Sequence, residues 1–200
     1  MRTRRLDRSS VEILLIGGSA GSLKVLLQIL PHLNDGLAFP IILILHRKAD
    51  AESVLDELLA NHTTLNVFEI EDKTVLETGN IYLVPSDYHV LFENKRVVSL
   101  DCSEKLNYSR PSIDVVFQSA AQVFEDGAAA LLLSGANADG VEGLVCVHER
   151  QGLVLVQDPS TAEVDYMPRQ ALQNVWADYI LKPKEMAIFI NQLGKEAHDN

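Results

Sequence analysis

Short apolar runs alternate along this chain with segments whose apolar residues recur at helical spacing. Residues 12–16 predict a strand and residues 17–22 a tight turn. Leu23, Leu26, Leu27 and Leu30 then form one stripe of a helix that stops at Pro31. Residues 41–45 are continuously apolar, the mark of a parallel strand buried on both faces. A helix carrying Leu55, Leu58 and Leu59 comes next, then strands near 66–70 and at 81–84. Residues 89–100 predict a hairpin, two apolar arms around a polar turn at 93–96. After the polar stretch 101–109, Ile113, Val116, Phe117, Ala120 and Phe124 share one side of a clear amphipathic helix. A strand at 128–133, a small-residue loop at 134–140, a helix at 141–149 and a strand at 153–156 succeed it. Met186, Phe189, Ile190 and Leu193 mark a final helix.

Strands alternating with helices imply parallel crossovers, so the expected fold is one doubly wound α/β domain. Its sheet should be mostly parallel with helices on both faces. The hairpin near 89–100 would be an antiparallel insertion or an edge extension. The organisation read from the chain is a basic N-terminal tail over 1–11, the α/β domain over 12–194 and a short C-terminal tail over 195–200.

Composition narrows the function. The chain has 200 residues, 47% of them hydrophobic, enough for a substantial core. A net charge of −11 with no basic stripe argues against nucleic acid as a partner. The arginines of the first eight residues resemble a signal-peptide head, but Gly17 and Gly18 break the apolar run behind them. No stretch is long enough to enter a membrane as a span, and the expected location is the cytoplasm. Cys102 and Cys146 are too few for a disulfide framework and are expected to be reduced thiols. His32, His62, His89 and His198 lack partners at metal-ligand spacing, His148 lies on the apolar face of its helix as a core residue would, and neither a metal nor a cofactor is expected.

In open α/β sheets ligands gather beyond the carboxyl ends of the strands, so candidate chemistry is sought in the loop just past each buried strand. Gly17-Gly18-Ser19-Ala20-Gly21-Ser22 succeeds the first, His46-Arg47-Lys48 the second, and Ser134-Gly135-Ala136-Asn137-Ala138-Asp139-Gly140 the strand at 128–133. A serine, a histidine and an aspartate thus stand on one sheet edge, the parts of a nucleophile, base and orienter. Gly17-x-Ser19-x-Gly21 matches a strand-to-helix turn that exposes a serine oxygen, and the helix start behind it offers N–H groups to an oxyanion. Each piece has a plainer use. The glycine turn could cradle a phosphate, although Ser19 and Ser22 replace two glycines of the dinucleotide fingerprint and no P-loop lysine is present. His46 could merely end a strand, Asp139 could cap the helix beginning beside Gly140, and Asp158-Pro159-Ser160 reads as a turn.

Together these segments, with Arg110-Pro111-Ser112-Ile113-Asp114 and Met167-Pro168-Arg169, resemble the catalytic domain of the chemotaxis protein-glutamate methylesterases (CheB type) from about residue 12 to 193. The resemblance implies a serine hydrolase that removes methyl groups from glutamates of chemoreceptors, or deamidates glutamines, without a cofactor. It implies Ser19 as nucleophile, His46 as base, Asp139 as acid, and the backbone N–H groups of Ala20 and Ala136 as the oxyanion hole. It also implies a methyl-accepting chemoreceptor or similar signalling protein as partner. The chain departs from the family pattern at Ser22, at Arg47-Lys48 and at Ala136-Asn137. Asparagine is the non-glycine residue best suited to a positive φ, should Asn137 need one. Only about ten residues precede the first strand, too few for the receiver domain of many family members. The expectation is therefore an enzyme that is unregulated, controlled by a partner protein, or at work in a signalling system other than chemotaxis. A non-catalytic docking or scaffolding module of a signalling complex, or a nucleotide binder, would fit the same fold.

Overall fold

A computed structural model describes residues 10–47, 54–106 and 109–194. The basic cluster at 2–8, Lys48 and the C-terminal tail lie outside the described residues. Seven strands form a wholly parallel sheet: β1 (Ile13–Gly18), β2 (Ile41–Leu45), β3 (Asn66–Glu69), β4 (Asn80–Leu83), β7 (Ala128–Leu132), β8 (Leu153–Gln157) and β9 (Tyr179–Leu181). Their order is β3-β4-β2-β1-β7-β8-β9. The chain winds outward from β1 through β2 on one side and returns to its other side as β7. The crevice that such a reversal opens lies beyond the carboxyl ends of β1, β2 and β7.

The central strands are buried along their whole length, as their unbroken apolar runs require. Alternate residues feed two separate cores. Leu14, Ile16, Leu43, Leu131 and Leu155 face α1 (Ser22–Ile29) and α6 (Pro183–Ile190), with Leu59 of α2 (Leu55–Ala60) joining them. Ile13, Leu15, Ile44, Leu132 and Val156 face α3 (Ile113–Phe124), α4 (Val141–Glu149) and α5 (Tyr166–Asn174).

The hairpin of β5 (His89–Phe92) and β6 (Val98–Asp101) is a sheet of its own rather than an edge extension. It packs on α3, where Phe92 meets Phe124 edge to face with ring centroids 5.5 Å apart. Ser119 Oγ accepts the Phe92 N–H at 2.8 Å and ties the arm down. Two elements are invisible in the apolar pattern. α5 buries only Met167, Pro168 and Ala171, and β9 is a three-residue edge strand with Ile180 exposed. His148, expected in the core, is half-buried, with Nδ1 shielded from solvent and unpartnered among the described residues. No helix among the described residues is long and apolar enough to cross a membrane.

Candidate functional site

The first of the three loops is held almost entirely by its backbone. Beyond β1, Ser19 N–H donates to Ser134 O at 2.9 Å, and His46 N–H donates to Gly18 O at 3.1 Å. The His46 N–H thereby closes the last regular pair of the β2–β1 ladder, Gly18 with Leu45. Ser19 and His46 are the residues that follow directly on that pair. Alternation then fixes the face. Gly17 abuts Ile113 and Ile44 belongs to the α3–α4 core, so Ser19 and His46, each two residues on, share that side.

Ser22 has a different role from the helix cap its type suggests. Gly21 is the N-cap of α1, at φ 83°, and Ser22 is the first helical residue. Its hydroxyl donates to Ser19 O at 2.6 Å and its N–H donates to the same oxygen at 3.0 Å, which locks the turn beneath Ser19.

The loop after β7 is anchored from below. Ser134 N–H donates to Oε1 of the fully buried Gln157 at 2.9 Å, and Ser134 Oγ donates to Ala20 O at 2.7 Å while accepting Val164 N–H at 2.9 Å. A Cβ on Gly135 would stand 2.4 Å from Met167 Cε and 3.1 Å from Ser19 Cβ, so any other residue here would have to displace the Met167 tip and crowd the serine. Ala20 and Ala136 are exposed at the rim, and no acceptor takes either N–H among the described residues. Asn137 is not in the positive-φ region. Its Oδ1 instead accepts Asp139 N–H at 3.2 Å.

Asp139 is buried and makes the central contact: its Oδ2 lies 2.7 Å from His46 Nε2. The same oxygen accepts Ile113 N–H at 2.7 Å, and Oδ1 accepts Ser112 Oγ–H at 2.8 Å and Asp114 N–H at 3.1 Å. Burial pushes this carboxyl up, but the hydrogen bond from His46 and the N–H groups of Asp114 and Ile113 outweigh it. The group lies below the ordinary carboxylate value and is ionised at neutral pH. A carboxylate at Nε2 places a hydrogen there, so Nδ1 carries the lone pair in neutral His46.

The plain alternative for Asp139, a cap for the helix it precedes, is not what the structure contains. Gly140 caps α4, and Asp139 reaches across to the start of α3. Sequence reasoning passed over three residues around it. Ser112 is the N-cap of α3 and also donates to Asp139; His89 accepts Ser112 N–H with Nδ1 at 3.0 Å; Asp114 faces α4. The run Arg110-Pro111-Ser112-Ile113-Asp114 was a visible signal for two of them, whereas His89 gave none.

His46 and Asp139 are in contact, whereas Ser19 Oγ makes no hydrogen bond to His46 among the described residues. Arg47 pairs with Glu69 of β3. Asp158 forms the expected turn, its Oδ1 accepting Ser160 N–H at 2.9 Å. Cys102 and Cys146 are free thiols, and no cluster of His, Cys, Asp or Glu among the described residues could hold a metal ion.

The family model for CheB methylesterase matches residues 14–190. A Thermotoga maritima protein-glutamate methylesterase/protein-glutamine glutaminase is 31% identical over 175 residues, which cover 86% of this chain and 51% of that protein. A Leptospira interrogans protein provisionally given the same name is 38% identical over 176 residues, 88% of this chain and 91% of its own length. The crystal structure of the Thermotoga maritima CheB methylesterase catalytic domain superposes with a TM-score of 0.86 at 29% identity, covering 91% of this chain and 98% of that one. The match in sequence and in fold thus spans the three loops that carry Ser19, His46 and Asp139, and the chain belongs to the CheB methylesterase family of hydrolases.

Proposed function

We propose that the protein hydrolyses methyl esters of glutamate side chains, or deamidates glutamines, on a chemoreceptor or similar signalling protein, with Ser19 as nucleophile, His46 as base and Asp139 as orienting acid. The observation that carries this reading is the 2.7 Å contact between His46 Nε2 and an ionised, buried Asp139, on the face of the sheet that Ser19 shares. The carboxylate fixes the histidine tautomer, and Nδ1 is then the nitrogen that can take a proton from Ser19 after rotation about the serine Cα–Cβ bond.

Ser19 Oγ attacks the ester carbonyl carbon while its proton passes to His46 Nδ1. The tetrahedral oxyanion receives the Ala20 and Ala136 N–H groups, which have no other acceptor to give up among the described residues. The carbon–methoxy oxygen bond then breaks, and the departing oxygen takes the proton from Nδ1 and leaves as methanol. Water attacks the acyl-enzyme as His46 accepts its proton; the carbon–Oγ bond then breaks, Ser19 Oγ takes that proton back, and glutamate leaves. Asp139 stabilises the transient imidazolium in both halves. An open rim at Ala20 and Ala136 suits a side chain presented on the surface of a folded partner.

Methanol release from a methylated receptor cytoplasmic fragment, wild type against Ser19→Ala, tests this. Release by wild type that disappears in the variant is the expected result. Absent turnover together with failure of a fluorophosphonate probe to label Ser19 would replace the reading with a docking module.

A further inference from the structure

α3 and α4 exchange carboxylates at their starts. Asp139, just ahead of α4, accepts the N–H groups of Ile113 and Asp114 in the first turn of α3. Asp114, in that same turn, accepts Gly140 N–H at 2.8 Å and Gly143 N–H at 2.7 Å, both with Oδ1, at the start of α4. Each carboxyl thus satisfies donors that the other helix leaves unpaired, and each meets the positive end of that helix. The helices come close because Gly143 has no side chain: a Cβ there would stand 2.6 Å from Phe117 Cβ and 3.2 Å from Asp114 Cα. Gly140 adopts φ 97°, a conformation closed to most side chains, and this turn aims Asp139 back toward α3.

The two carboxyl groups lie together, Asp139 Oδ1 accepting the N–H of Asp114 itself at 3.1 Å. Asp139 is the ionised member. Burial and the charge on Asp139 raise the Asp114 carboxyl to about 7, against the opposing Gly143 and Gly140 N–H groups. Asp139 is a charge beside Asp114, with His46 of the β2 end in contact with Asp139. α4 presents backbone N–H groups, and His89 of β5 accepts the N–H of Ser112, whose hydroxyl donates to Asp139.

We propose that Asp114 is a positioning residue for Asp139: by gripping the Gly140 and Gly143 N–H groups with one oxygen, it fixes the turn from which Asp139 reaches His46. The proposal rests on the triad reading. It assigns Asp114 no contact with substrate, and its mark is therefore a change in kcat with little change in KM.

Asparagine keeps an acceptor for the two N–H groups and stays neutral at every pH, as the protonated acid is. Alanine keeps no acceptor. In the methanol-release assay Asp114→Ala is expected to lose about 10²-fold in kcat with KM within about twofold. Asp114→Asn should stay within about threefold of wild type at pH 6.5 and hold that rate at pH 8.5, where wild type declines as Asp114 ionises beside Asp139. The His46 Nε2 proton, read as a downfield NMR resonance in a Ser19→Ala background, should persist in Asp114→Asn and vanish in Asp114→Ala, independently of turnover.

Unchanged kcat in a folded Asp114→Ala overturns the proposal, as does Asp114→Asn falling as far as alanine. If the alanine variant does not fold, an alkaline decline in Asp114→Asn equal to that of wild type overturns it. Full activity in Ser19→Ala would instead sink the triad reading, and the downfield resonance would still decide the role of Asp114.

Discussion

The two faces of the sheet bury similar aliphatic layers but differ in what else they bury. On the α1–α6 face the core is formed by residues such as Leu26, Ile29, Leu43, Leu131 and Ile190. The α3–α4 face adds His89, Ser112, Asp114 and Asp139, all buried and all hydrogen-bonded to one another or to helix starts. An unpaired polar group at such depth costs on the order of 1–3 kcal/mol, more when charged, so this network is tolerated only because nearly every donor and acceptor in it is used. One face of the sheet mainly stabilises the fold, and the other holds charge ready for chemistry.

Loss of the nucleophile or the base breaks that division most sharply. Ser19→Ala and His46→Ala should each lower turnover about 10⁶-fold, and the double variant little further, since the two act as one unit. Additive losses in the methanol assay would contradict this. Asp139→Asn comes next, at about 10⁴-fold, because a neutral amide no longer selects the Nε2–H tautomer of His46. Retention of activity there would show that His46 is oriented by something other than Asp139.

On the opposite face the expected effect changes kind. Leu26→Ala should cost about 2–5 kcal/mol in urea unfolding while kcat per folded molecule stays at the wild-type value. A matching fall in kcat would erase the distinction between the faces.

The smallest effect is the response of stability to pH. The depressed Asp139 carboxyl contributes stability that is present above its unfolded value and lost as pH falls through the lower folded value. Asp114 works in reverse. The folded protein holds its proton more tightly than the unfolded chain does, so that stability is lost as pH rises from the ordinary carboxylate range to about 7. The urea midpoint of wild type should fall relative to that of Asp114→Asn across this window, and parallel curves would count against the assignment.

Much of this was legible in the chain because it is local. The continuous run of β2 and the stripe of α3 announce their elements through repeated burial of one face. β9 and α5 escaped because an edge strand and a mostly exposed helix bury too few residues to leave a period. Ser19, His46 and Asp139 could be proposed from sequence because each lies in the loop just past a buried strand, so one topological rule collects them.

Alternation of apolar residues determined the parallel sheet with helices on both faces, because burial is written residue by residue. Only the tertiary structure decided that Asp139 serves α3 instead of α4, that Asp114 does the converse for α4, and that Ser22 locks the carbonyl of Ser19 instead of capping α1. Those bonds join residues up to 29 positions apart, and their partners are backbone N–H and C=O groups that every residue carries. No side-chain pattern encodes which of them will meet; the packing of α3 against α4 at Gly143 does.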